Sequence, residues 1–208
     1  MPPHGPLVPH SRPTLDEADI RAVAEVLRSG QIAQGELTRR FEQEVACFLG
    51  VRDGVATSSG TAALHLALLA LGVGPGDEVV LPSYTCVALL QAVRYVGATP
   101  KLVDLEPGGY NLSVEEVHRA VTRRTRAILV PHMFGFPADI EGICRLGVPV
   151  IEDIAQALGA TVESRPVGSF GDVAICSFYA TKVITTGEGG MVLSNSDLLL
   201  RRAREMRD

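Results

Sequence analysis

From residue 54 onward, short apolar runs alternate with segments long enough to be helices. The runs fall at 54–57, 78–81, 100–103, 127–130 and 148–151, and helical patterns at 61–72, 84–96, 113–121 and 139–146 lie between them. Runs without polar alternation suit strands buried on both faces, and helix-length connections suit parallel neighbours. The pattern predicts an α/β doubly wound architecture, a mostly parallel sheet with helices on both faces. Ligands in such folds gather at the carboxyl ends of the strands. Two further strands are expected at 173–178 and 190–193. The tight connection Thr185-Thr-Gly-Glu-Gly-Gly190 permits an antiparallel pair there.

Ahead of this alternation, residues 1–13 carry five prolines and are expected to form an extended arm, with residues 14–208 as the domain proper. Thr14-Leu-Asp-Glu17 has the pattern of a capping box. Behind it, Ile20, Val23, Ala24, Val26 and Leu27 give a helical stripe that stops at Gly30. A second helix is expected over 36–49, with Phe41, Val45 and Phe48 inward and Gly50 as its stop. The pattern over 197–207 runs to the last residue without a stop signal, so the domain is expected to be incomplete at its C-terminal end.

Composition excludes several classes of function. A net charge of −5 without a basic face argues against nucleic acid, and the arginines at 123–126 and 201–204 read as solvated helix faces. The longest apolar stretch, 62–73, contains His65 and falls short of the ~20 residues that span a bilayer. Cys47, Cys86, Cys144 and Cys176 are scattered, with no paired spacing for zinc or a disulfide framework. No signal-peptide pattern opens the chain. The expectation is a cytoplasmic protein that touches neither membrane nor nucleic acid.

Three places carry chemistry. Lys182 is one of only two lysines, against seventeen arginines, and lies in a Ser/Thr/Gly-rich turn after an apolar strand. A lysine so placed can form a Schiff base; for any single lysine, a surface position is the plainer explanation. Asp153 follows the strand at 148–151 and could hold a proton on a pyridine nitrogen, as pyridoxal 5'-phosphate (PLP) requires. Alternatively, Glu152 or Asp153 caps the next helix, in which Gln156 would lie one turn on and could reach the ring hydroxyl. Thr57-Ser-Ser59-Gly60-Thr61 follows a strand and opens an Ala/Leu-rich helix. Its free N–H groups would suit a phosphate, although Ser and Thr also favour N-caps for their own sake. Ser177, at a strand end, could add a hydroxyl. His132 reads as either a site residue or a structural histidine.

These motifs, in order, are Ser58-Ser59-Gly60-Thr61-Ala-Ala-Leu64, Pro75-Gly76-Asp77-Glu78-Val79, Glu152-Asp153-Ile-Ala-Gln156-Ala-Leu-Gly159 and Ser177-Phe178…Lys182…Thr185-Thr-Gly-Glu-Gly-Gly190. They resemble the DegT/StrS-type sugar aminotransferases, fold-type I PLP enzymes, over nearly all of residues 8–208. The resemblance implies the large domain of that fold with its C-terminal small domain missing, and a homodimer. It implies Lys182 as the lysine bonded to the cofactor, Asp153 at the pyridine nitrogen and Gln156 at the ring oxygen, with Ser59, Gly60, Thr61 and Ser177 around the phosphate. Where relatives commonly stack an aromatic ring on the cofactor, this chain has Cys86, with Tyr84 two residues away as a substitute. The implied activity is transfer of an amino group from an amino acid, usually glutamate or glutamine, to a nucleotide-linked keto-sugar. Two alternatives stand beside it. One is a PLP-dependent sugar dehydratase, in which a histidine replaces the lysine; the other is a shortened, non-catalytic member of the family.

Overall fold

The structure is a computed structural model that describes residue 9 and residues 11–208. The arm expected over 1–13 lies largely outside the described residues. The chain opens with helices α1 (Glu17–Ser29) and α2 (Glu36–Leu49). It then alternates through β1 (Asp53–Thr57), α3 (Gly60–Ala70), β2 (Glu78–Pro82), α4 (Val87–Tyr95), β3 (Thr99–Val103), α5 (Val114–Ala120) and β4 (Thr125–Pro131). Helix α6 (Ile140–Cys144) and β5 (Val150–Asp153) follow, then a small hairpin of β6 (Thr161–Val162) and β7 (Arg165–Pro166). Strands β8 (Val173–Ser177) and β9 (Gly190–Ser194) and helix α7 (Asp197–Arg207) complete the chain.

Seven strands form one sheet in the order β1-β9-β8-β5-β4-β2-β3. All contacts from β8 through β3 are parallel, and β9 runs antiparallel to both β8 and β1, so six strands point the same way. The expected α/β architecture is therefore present, including the antiparallel β8–β9 pair. The pleat explains why the strands lack polar alternation. Ala127, Leu129, Val173 and Ile175 pack with α3, α4 and α7. On the opposite face Ile128 and Val130 pack with α5 and α6, and Ala174 and Cys176 with α2. Both faces are apolar because both are covered.

Several local expectations are corrected. The capping box of α1 is formed by Asp16 and Asp19, two residues later than expected: Asp16 accepts from the N–H groups of Ala18 and Asp19, and Asp19 returns a bond to Asp16 N. Asp is a stronger N-cap than Thr, which moves the start to Glu17. The α1 stripe exists, but no residue of the helix is buried. In α2, Phe48 faces outward at 61% exposure, while Glu42, Ala46 and Leu49 are buried. Strand β5 starts two residues late. Pro149 has no N–H to give a ladder, although its carbonyl accepts from Ile128, and Val150 N is taken by Asp172. No helix follows β5; residues 155–159 form turns.

The arginines at 123, 124, 126, 201 and 202 are exposed, as expected, although those at 123–126 lie on a turn and strand and not on a helix, and two of them also pair with carboxylates. Arg124 reaches Glu78 at 2.6 Å and Arg126 reaches Asp77 at 3.2 Å. At the sheet edge, α2 and α7 supply partners for the β1 backbone groups left over from pairing with β9. Glu42 accepts from Ala56 N, Arg204 donates to the Gly54 carbonyl, and Asp53 accepts from Gly54 N. Glu42 is itself buried and paired with Arg207 at 2.8 Å. At the opposite edge, β3 carries Pro100, which has no N–H. Among the described residues no helix is long and apolar enough to cross a membrane.

Candidate active site

A cavity of about 330 Å³ opens at the carboxyl ends of the parallel strands, within the size range of small-molecule sites. Eight of the nine residues expected to contact a cofactor line it: Ser59, Gly60, Thr61, Cys86, Asp153, Gln156, Ser177 and Lys182. Tyr84 does not; it is half exposed, while its neighbour Thr85 lines the cavity in its place.

The phosphate-type end is built by close packing of α3 against β8 and β9. Ser59 is the N-cap of α3, its hydroxyl accepting from Ala62 N at 3.1 Å. The N–H groups of Gly60 and Thr61 have no acceptor among the described residues, so the positive end of the helix is open to the cavity. A Cβ on Gly60 would lie 2.7 Å from Ser177 Cβ, and one on Gly190 would overlap the Ser59 carbonyl. Both glycines are required by approach, since neither has a left-handed φ.

Glu152 and Asp153 are adjacent in β5, so the pleat sends them to opposite faces. Glu152 is fully buried and saturated. Oε1 accepts from Phe170 N and Gly171 N, and Oε2 from Gly168 N and His132 Nε2. Burial pushes its carboxyl up, but the bonds from His132, Gly171 and Gly168 outweigh this and hold it below the usual range. His132 Nδ1 accepts from Ala138 N at 3.0 Å, which assigns the ring proton to Nε2, donating to Glu152 across 3.1 Å. His132 thus lines the cavity with both nitrogens already engaged.

Asp153 has the opposite environment. It is buried, Oδ1 accepts from Ala155 N at 2.9 Å, and no cation pairs with it among the described residues. Burial pushes its carboxyl above the usual range, with the Ala155 N–H and the charge of Lys182 acting against that. A buried carboxylate in this state is costly and suits a cationic partner in the cavity. Gln156 is held in a turn, not on a helix. Its Oε1 accepts from the N–H of Phe134, a non-glycine residue at φ 56°. That leaves the amide NH2 as its free end, a donor suited to an oxygen anion. Lys182 sits half-buried in the turn after β8, its N–H bonded to the Tyr179 carbonyl.

Glu188 and Tyr179 also line the cavity, and sequence reasoning did not single them out. Nor did it single out Thr85, whose Oγ1 is the one buried side-chain polar atom without a partner among the described residues. Its place in Pro82-Ser-Tyr-Thr-Cys86 was the available signal. A half-buried lysine, an unpaired buried carboxylate, an NH2 donor and an open helix N-terminus around one cavity fit a phosphorylated pyridine aldehyde.

Residues 13–208 match the model of the DegT/DnrJ/EryC1/StrS aminotransferase family. The chain is 38% identical over 207 residues to the GDP-perosamine synthase of Vibrio cholerae, covering 97% of this chain and 56% of the relative. It is 43% identical over 204 residues to the UDP-N-acetyl-3-dehydro-alpha-D-glucosamine 3-aminotransferase of Acidithiobacillus ferrooxidans, covering 96% of this chain and 55% of the relative. A solved protein described as a sugar aminotransferase of Streptococcus pneumoniae, in its PLP form, superposes with a TM-score of 0.90 at 31% identity, over 96% of this chain and 56% of that one. This chain therefore spans a little over half the length of the relatives it matches.

Proposed function

Because the chain belongs to the DegT/DnrJ/EryC1/StrS aminotransferase family, we propose that residues 14–208 are the PLP-binding large domain of a sugar aminotransferase. The amino group would pass from an amino acid, glutamate or glutamine, to the ketone of a nucleotide-linked sugar. The observation that carries this reading is the convergence of Lys182 and the unpaired, buried Asp153 on one cavity. The nucleotide-sugar names of the two relatives support the acceptor class, and the PLP form of the streptococcal relative supports the cofactor.

Bound in this cavity, PLP supplies an aldehyde that takes up and releases an amino group, and a ring that delocalises the electron pair of the broken bond. Lys182 Nζ would be the amine that holds the aldehyde carbon, and as a free amine it would serve as general base and acid for a proton. Asp153 holds the ring nitrogen protonated, gaining the cationic partner it otherwise lacks. Gln156 donates its NH2 to the ring oxygen, and its bond to Phe134 N keeps that end turned inward. The N–H groups of Gly60 and Thr61, with the Ser177 hydroxyl, hold the phosphate. Ser59 acts through the helix cap that keeps those N–H groups open. Cys86 lies where relatives place an aromatic ring and gives a smaller, polarizable surface at the cavity wall. A second copy of the chain in the cytoplasm is the expected partner, and the unburied α1 face offers apolar surface for assembly. A dehydratase would carry a histidine in place of Lys182, so that alternative loses its support.

The test is cofactor capture. Protein incubated with PLP should turn yellow, and borohydride should fix the label on Lys182; Lys182→Ala should do neither. A Lys182→Ala protein that is labelled or keeps transaminating would remove Lys182 from this role.

A further inference from the structure

Gln156 owes its direction to a turn that follows the neighbouring strand. β4 and β5 are parallel and paired as far as Pro131 and Asp153, so the segments beyond them lie side by side. After β4, Met133–Gly135 makes one tight turn, closed by Phe136 N donating to the Met133 carbonyl at 2.9 Å. Two consecutive residues of that turn are left-handed, Phe134 at φ 56° and Gly135 at φ 84°. Glycine adopts this conformation freely; phenylalanine is strained by it and keeps it only where the surroundings impose it. The Phe134 ring, exposed and edge-on to Tyr110, gives little hold.

The hold comes from Asn111, which is buried in the loop after β3. Its Oδ1 accepts from Met133 N at 3.1 Å, and its Nδ2 donates to the Phe136 carbonyl at 3.0 Å. One side chain thus grips the turn on both sides of Phe134. The partners fix the amide's orientation, because an N–H needs its oxygen and a carbonyl needs its NH2. Asn111 is itself anchored: its carbonyl accepts from Glu106 N at 3.0 Å, and Leu112 beside it is buried. Held in this way, the turn points Phe134 N–H at Gln156 Oε1 across 3.0 Å. Without that N–H, the Gln156 amide would be free to turn its oxygen, and not its NH2, toward an anion. We propose that Asn111 is a positioning residue of the cofactor site, acting through the strained Phe134 turn to keep the Gln156 NH2 aimed at the ring oxygen. It does not line the cavity, so it acts at one remove. This rests on the PLP reading of that cavity.

The experiment is a double-substitution cycle read by PLP affinity. Asn111→Leu keeps the volume and removes both bonds to the turn; Gln156→Met removes the amide and keeps its length. Each should weaken PLP about tenfold, the worth of a charge-assisted bond, and the double variant should be no weaker than Gln156→Met. Both single variants should also raise the pH at which bound PLP changes colour, because an NH2 on the ring oxygen favours its unprotonated form. Parent-like affinity in Asn111→Leu, or losses that multiply in the double variant, would overturn the proposal. So would a colour change at the parent's pH, which is the outcome for a residue that only stabilises the fold. Asn111→Ser takes the place of Asn111→Leu if the latter does not fold, and failure of both to fold removes the positioning role. If the parent takes up no PLP, the aminotransferase reading fails instead. Amide exchange of cofactor-free protein then decides, with Ile128 N–H in the core of β4 as the reference. Exchange at Phe134 N–H that rises against Ile128 in both single variants upholds the Asn111 grip, and an unchanged ratio in Asn111→Leu removes it.

Discussion

Gly60 and Ser177 meet with no room for another atom: a Cβ on Gly60 would stand 2.7 Å from Ser177 Cβ. The first residue of α3 and the last of β8 can touch only because one lacks a side chain. Gly60→Ala must push α3 away from the sheet, at about 1–3 kcal/mol for an overpacked contact. It should also move the open N–H groups and lower PLP affinity. Thermal melts and PLP titration check both, and unchanged affinity would separate this contact from cofactor binding.

Glu152→Gln places an NH2 where only acceptors fit, since all four surrounding groups donate. The expected loss is about 2–4 kcal/mol. The sign with pH follows from the lowered carboxyl. In the parent, stability from Glu152 is present above the unfolded-state value of about 4.3 and is lost as pH falls through the lower folded value. Urea midpoints across acid pH should show this loss in the parent and a flatter profile in Glu152→Gln.

Asp153 works in the opposite direction. Its raised carboxyl means that the cofactor-free fold keeps a proton the unfolded chain has released, so its contribution falls as pH rises from about 3.9 to the folded value. PLP favours the ionised form, and its affinity should therefore decline on acidification. Asp153→Asn should bind PLP about tenfold or more weakly at neutral pH and lose most of that acid dependence. The comparison is between the equilibrium-dialysis profiles of parent and variant. Parallel profiles would count against its pairing with the ring.

The cysteines should sort by burial. Burial pushes the Cys176 thiol up to about 12 and Cys144 up to about 11, so both should resist iodoacetamide at neutral pH. Cys47 and Cys86 are exposed, but only Cys86 lines the cavity. Peptide mapping should find both modified in cofactor-free protein and only Cys86 shielded by PLP. Equal protection of the two would place PLP elsewhere.

The layered sheet was legible because covered strands are apolar on both faces, and runs such as 127–130 and 173–178 say so directly. That Lys182 and Asp153 share one cavity was legible because strand ends are where such a fold gathers side chains. Gln156 was expected on a helix, but residues 155–159 turn instead, tied by Ala157 N to the Ile154 carbonyl, and short-range spacing looks alike in both. Glu163 and Ser164 form the left-handed turn of the β6–β7 hairpin without a glycine to mark it. The exposure of the α1 stripe was not legible, because periodicity reports that a face is apolar and does not report what covers it. The saturation of Glu152 depends on groups 16 to 20 residues away, which no local pattern contains.

Both margins of the large sheet are blunted. Glu42, Asp53 and Arg204 occupy the leftover backbone groups of β1, and Pro100 interrupts β3. A stray strand from another molecule finds no continuous ladder to extend at either end. Association between copies must therefore proceed through side-chain surfaces, and heat-denatured material from this protein should begin clumping only after α2 or α7 has peeled away from β1.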